Sequence, residues 1–271
     1  MKYLEKAFKF LAKHYLLALP LWALSLIPGI LGGKTINLLA DGNYWIGLLQ
    51  NPTAMRDPAQ ILNLFASILP LFAGAGILSF ILRFVVYPPT YGLINTALST
   101  GHSDLNGFVP SLKENIVKYI LYWIGTLVVG IILSIALIIV IAVIGVLVAV
   151  LKWFGAIIAL LAMLLLIVVG LVIGALLGLW FPAMVVSNLD VIAALKKSVE
   201  VVKKDLWMIV GITLLINFVG GIAGSILSFL NFIPLIGPII TSVIPAITTF
   251  VLTVFYMMVY KDKTEGTTSV V

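Results

Sequence analysis

The sequence predicts an all-α integral membrane protein with six transmembrane helices, paired as three hairpins, each preceded by a cytoplasmic interfacial amphipathic helix. Three observations carry this. Of 271 residues, 62% are hydrophobic and only 10% charged, where soluble domains carry about 45–50% apolar and about 25% charged residues. The mean hydropathy is +1.24. Polar side chains too scarce to cover a soluble body exclude a water-soluble globule, and the same numbers exclude disorder, which needs low hydrophobicity and high charge. Apolar runs recur at a length that crosses a bilayer, and the basic residues are distributed unevenly between the loops.

A spanning helix needs about 20 mostly apolar residues. Six such runs are found, at about 15–32, 59–86, 119–148, 154–181, 206–230 and 237–260. The first contains Pro20 and Pro28 and lacks a small-x-small site before Lys34, unlike a cleaved secretory signal. Between 119 and 181 the apolar sequence is interrupted only at Lys152-Trp153. As one helix it would reach about 95 Å against a hydrocarbon core of about 30 Å, so it folds back at that point. The turn from Asn231 to Pro238, with Pro234 and Gly237, separates the last two spans. Residues 1–262 thus form one polytopic domain, and 263–271 a flexible cytoplasmic tail. Pro20, Pro28, Pro70 and Pro245 fall inside spans and are expected to shape or kink them. The long outer segment 33–58, with Trp45, is expected to dip into the outer interface.

Orientation follows from charge. With the N-terminus inside, the inner segments hold Lys2, Lys6, Lys9, Lys13, Arg83, Lys113, Lys118, Lys196, Lys197, Lys203, Lys204, Lys261 and Lys263, which is 13 of the 16 basic residues. The outer segments hold Lys34, Arg56 and Lys152. The excess of Lys and Arg on the cytoplasmic side places both termini inside a multi-pass protein of the cell membrane.

A pattern recurs ahead of each odd-numbered span. Leu4, Phe8, Leu11 and Tyr15 are spaced by 4, 3 and 4 residues, as are Leu112, Ile116, Tyr119 and Trp123, and Leu195, Val199, Val202 and Leu206. That spacing makes one apolar stripe on a helix, with lysines on the other faces. Such segments are expected to lie in the inner interface. The unit of amphipathic helix, outward span, turn and inward span, used three times in one orientation, makes parallel repeats about the membrane normal. The second unit opens with a capping-box pattern, Ser111-Leu-Lys-Glu114 after Pro110, and the third with Ser187-Asn-Leu-Asp190. Spans two and four end in aromatic-proline pairs, Tyr87-Pro88 and Phe181-Pro182.

The stretch from Phe181-Pro182 through Ser187, Ala193-Ala194-Leu195-Lys196-Lys197-Ser198 and Lys203-Lys204-Asp205-Leu206-Trp207 resembles the six-span membrane domain attached to some glycerophosphodiester phosphodiesterases and related prokaryotic domains of unknown function. The resemblance implies a six-span bundle. It supplies no catalytic residue, and the soluble phosphodiesterase domain has no counterpart here.

Few residues carry chemistry. There is no cysteine, so disulfides, thiolate catalysis and Cys-ligated metals are excluded. The two histidines, His14 and His102, lack partners at ligand spacing, and no Gly-rich phosphate loop precedes a helix. No enzyme activity, cofactor or metal is expected. Span centres lack Asp, Glu, Lys and Arg, which leaves Asn217 in span five as the candidate buried polar contact. Arg83, Lys113, Lys118, Lys196, Lys197, Lys203 and Lys204 are candidate contacts to anionic lipid headgroups on the inner face. Gly170, Gly174 and Gly178, with Gly220 and Gly224, place small residues four apart, the pattern that lets helices approach closely within or between subunits.

The formal charge of +6 follows from these loops rather than from a nucleic-acid surface. Two functions remain open. One is a noncatalytic module that binds lipid or a protein partner, another copy of itself included. The other is a transporter or channel for a small or amphipathic solute, whose lack of membrane-centre carboxylates disfavours proton or sodium coupling.

Overall fold

The computed structural model describes residues 2–27, 30, 58–233 and 236–266, with 58–75 as backbone only. Every regular element among them is helical: α1 (Lys2–Lys13), α2 (Tyr15–Ile27, opening as a 3-10 turn), α3 (Pro58–Thr100), α4 (Phe108–Leu151), α5 (Trp153–Val186), α6 (Val191–Leu227), α7 (Ile236–Thr241) and α8 (Val243–Glu265). Five helical stretches are long and apolar enough to cross a membrane, and α1 with α2, bent by 95°, could make a sixth. The long outer segment with Trp45 lies outside the described residues.

Several helices run past the expected span ends. α4 has 44 residues, α3 has 43, and each is about 65 Å long. The segment expected to lie flat ahead of span three is the opening of α4 itself. Ser111 is not the cap: α4 begins at Phe108 with Gly107 as an uncapped N-cap residue, and Asp104 caps the preceding 3-10 turn through Asn106 N–H. Of the three patterned segments, α1 alone is set at a steep angle to the helix after it, α2. The third segment is joined to its span at Asp205, whose φ of −138° and ψ of 36° kink α6. Asp190 is the N-cap of α6 and accepts from the amides of Ile192 and Ala193.

The aromatic-proline pairs do not end helices. Pro88, Pro89 and Pro182 lie buried inside α3 and α5. Proline removes a backbone donor, and polar side chains work on the nearby carbonyls: Thr90 Oγ1 donates to Val86 O and Ser111 Oγ to Pro89 O. The fold-back is where the charge and tryptophan placed it. Lys152 alone separates α4 from α5, with φ of +48°, an uncommon conformation for a non-glycine residue. Gly155 is required beside it, since a Cβ there would meet the backbone of Leu147 and Val148.

Burial is concentrated at the end of the bundle that holds the α3–α4 loop and the end of α8. Tyr119 stacks on Tyr87 at 5.9 Å and meets Phe181 edge-on at 5.0 Å. Trp180 donates to Val191 O and meets Tyr122 edge-on. In the three patterned segments the residue just before the second stripe position, Ala7, Asn115 or Ser198, is 1% exposed or less. Most stripe residues turn toward the core, though Phe8 and Tyr15 are exposed.

Three consecutive residues of α8 tie the helices together, because each step of about 100° on a helix points a side chain in a new direction. Buried Lys261 donates to Ser99 Oγ at 2.6 Å and Asn95 Oδ1 at 3.3 Å on α3. Asp262 accepts from Tyr3 Oη on α1 at 2.5 Å. Lys263 pairs with Asp205 at the α6 kink at 2.5 Å. Residues 263–265 of the expected tail are thus helical, since α8 continues to Glu265, and residues 267–271 lie outside the described residues.

Candidate functional site

A polar cavity of about 840 Å³ opens at this packed end, between the α1–α2 elbow, the last turns of α3, the α3–α4 loop and the start of α4. Its wall includes Lys13 and His14 from the elbow, Asn95 and Thr96 from α3, His102, Ser103 and Asp104 from the loop, and Ser111, Glu114 and Asn115 from α4. Gly92 allows α3 and α4 to close behind it, since a Cβ there would collide with Ser111 Oγ and lie 2.8 Å from Asn115 Nδ2.

Neighbours fix the polarity of the wall. Lys261 bonds Asn95 Oδ1, and Lys118 bonds Asn115 Oδ1 at 3.3 Å. Both amides accept through oxygen from an ammonium, so their NH2 ends remain as donors. Asn115 uses one donor on Ser111 O. Asp104 is held by Asn106 N and Nδ2 at 2.9 and 3.0 Å. Glu114 lies 3.8 Å from Lys118. Lys13 forms no ion pair among the described residues. Burial, aided by the nearby charges of Lys13 and His102, holds the His14 imidazole below the usual histidine pKa.

The histidines that lacked partners in sequence thus face one cavity. Among the described residues no three His, Asp or Glu side chains gather as a metal ion would require.

The other expected site residues are dispersed. Asn217 is exposed, and its amide donates to Thr213 O one turn back, so it is not the buried polar contact. The buried polar side chains among the described residues are Thr90, Ser111, Asn115, Ser198, Ser242, Thr253 and Lys261, whose burial no local pattern announced. Gly178 packs on Tyr256, Gly220 on Thr248 and Gly224 loosely on Ile244, whereas Gly170 and Gly174 have nothing within 4 Å of where a Cβ would stand. Arg83 is exposed well inside α3 rather than near its end. Lys113, Lys196 and Lys203 are exposed without ion pairs among the described residues, Lys118 is partly covered, and Lys197 and Lys204 share Glu200.

Five helices, or six with the bent pair, are long and apolar enough to cross a membrane, which is compatible with a multi-pass helical membrane protein. The chain belongs to the family of DUF7847, a domain of unknown function whose family model matches residues 44–262. No curated protein and no solved structure matches it.

Proposed function

We propose that this chain is a noncatalytic module of the cell membrane that binds anionic lipid at its basic end, with both termini cytoplasmic. The observation that carries this reading is the outward display of lysines at the packed end. Lys2, Lys13, Lys113, Lys196 and Lys203 are exposed and lack ion pairs among the described residues, while most of the apolar stripes on the same segments turn inward. Each lysine near an anionic surface contributes about 1 kcal/mol, screened by salt. The shared 4-3-4 spacing and the equivalent burial of Ala7, Asn115 and Ser198 support reading the three segments as copies of one unit. The 95° elbow after α1 and the kink at Asp205 suit two of them to lie along the interface.

Solute transport is the alternative; apart from the polar cavity at the elbow, two further crevices are lined by apolar side chains. Between α1, α6 and α8 the lining is Leu4, Phe8, Leu215, Ile216, Val219, Ile247 and similar side chains. Between the elbow and α8 it is Phe8, Leu11, Tyr15, Trp22 and Ile247 among others. Such walls suit acyl chains.

The test is lipid retention. Protein in nanodiscs of zwitterionic lipid mixed with phosphatidylglycerol is released and its retained lipids are weighed by native mass spectrometry. Enrichment of phosphatidylglycerol is expected. Changing Lys196, Lys197, Lys203 and Lys204 together to Gln should lower that enrichment by more than about tenfold, given about 1 kcal/mol per lysine. Equal retention of both lipids by the unaltered protein overturns the reading. Because the chain has no cysteine, single cysteines test orientation directly: Gly42→Cys should label from outside and Thr267→Cys should not.

A further inference from the structure

We infer that the cavity at the α1–α2 elbow is a binding site for a phosphate group, carried on a lipid headgroup or free, held by Lys13, His14 and His102 with the amides of Asn95 and Asn115. This rests on the reading that the basic end binds anions, and it names the place and the chemistry.

Four separate pieces of backbone bring donors to one space: the elbow, α3, the α3–α4 loop and α4. A tetrahedral dianion is suited to donors converging from several directions, and charge-assisted hydrogen bonds to phosphate are among the stronger ones. The volume of about 840 Å³ lies within the usual range of ligand sites, about 300–1,000 Å³. The acidic residues of the wall do not cancel this. Asp104 is turned into its own Asn106 turn, and Glu114 faces Lys118. Lys13 retains a charge that no described carboxylate meets. Lys261 and Lys118 occupy the amide oxygens of Asn95 and Asn115, so what these two wall residues have left to offer is N–H, one of the two on Asn115 being already given to Ser111 O.

The surroundings also give the site a signature. The titratable groups that line the cavity with His14 are Lys13 on its own segment, His102 and Asp104 from the loop, and Glu114 from α4. Without an anion, burial and the neighbouring Lys13 ammonium favour the neutral imidazole. A phosphate among these groups reverses the balance, since an opposite charge at close range favours the charged form.

The experiment uses the full chain in zwitterionic nanodiscs. Two histidines give two pairs of imidazole nitrogen signals by nitrogen-15 NMR, each pair titrated with pH alone, with inorganic phosphate, with short-chain phosphatidic acid and with acetate. Phosphate or phosphatidic acid should raise the His14 pKa by about one pH unit, and acetate should not. A response to both identifies the phosphate group itself as sufficient, and a response to phosphatidic acid alone identifies a lipid headgroup. Lys13→Gln, at an exposed position, should weaken the response by about tenfold or more, and Lys196→Gln, outside the cavity, should leave it unchanged. Silence to both phosphates, an equal response to acetate, or an unaltered response in Lys13→Gln overturns the inference. If phosphatidylglycerol enrichment persists while the imidazoles stay silent, the cavity assignment fails and the lipid-binding module stands. Loss of both fails the wider reading.

Discussion

Trp180 and Trp153 stand on the same helix in opposite circumstances. Trp180 is 1% exposed, donates to Val191 O, and packs where Gly125 leaves room for its ring. Trp153 is 78% exposed at the opposite end of α5. The contrast extends along the pair. From Leu127 to Val169, α4 and α5 expose Ile, Leu and Val side chains along most of their length, and Gly130, Gly145 and Gly170 adjoin open space. Nearer the basic end the same two helices are knitted to α3, α6 and α8 by aromatic contacts and hydrogen bonds. Apolarity alone therefore does not drive assembly here. Lipid tails are as apolar as leucine, so helices associate where shape and polar partners give a further gain. The packed end holds the fold, and the far lengths of α4 and α5 leave their apolar faces uncovered by the described residues.

The widest separation between the two regions should come from tryptophan truncation. Trp180→Ala should cost about 3–5 kcal/mol, and Trp153→Ala no more than about 0.5 kcal/mol, read as thermal unfolding in detergent. Similar losses would erase the distinction. A sharper version uses neighbours on one helix. Ala175 is 1% exposed and Gly174 faces open space. Ala175→Leu should destabilise by about 1–3 kcal/mol through overpacking, with Gly174→Leu close to neutral. The glycine stripe alone predicts the reverse order. Asparagines allow a third comparison: Asn115→Ala should cost about 1–3 kcal/mol because its buried partners lose a hydrogen bond, while Asn217→Ala should be nearly silent. The smallest effect concerns pH. Because the folded His14 pKa is depressed, its contribution is complete above the unfolded value of about 6.5. It is lost as pH falls through the folded pKa, because the unfolded chain binds the proton more readily. Stability should therefore decline on acidification below that value, and His14→Gln should flatten the decline.

The rough positions of five apolar spans were legible because a bilayer demands length, and length is written locally; the first expected span is matched only by α2, which could make a span only together with α1, across a 95° bend. Helix ends were less legible. Tyr87-Pro88-Pro89 reads as a breaker, yet α3 passes through it, with Thr90 and Ser111 serving nearby carbonyls. Which face of a helix is buried was harder still. Asn217 is the conspicuous amide in an apolar run, but Asn115, among charged neighbours, is the one enclosed. Nothing within α4 reveals that Gly92, on another helix, makes room for it. The cavity was invisible for the same reason: His14 and His102 meet only because α1 ends in an elbow beside the α3–α4 loop. Lys263 looked like the start of a tail, and Lys261 and Asp262 like a plain end to the domain, because their partners lie on three different helices.

The one-residue junction at Lys152 has a consequence for biosynthesis. Between Tyr119 and Phe181 it is the sole charged residue. In the proposed orientation, α4 and α5 can enter the bilayer as a pair and deliver one ammonium group to the far side. A lysine held at the centre of the membrane costs about 2.5–3.5 kcal/mol on insertion scales. That transient barrier is small beside the gain from immersing two long apolar helices. The junction thus sets a toll of a single charge for two crossings, and a second charge placed beside Lys152 should slow insertion before it alters the finished fold.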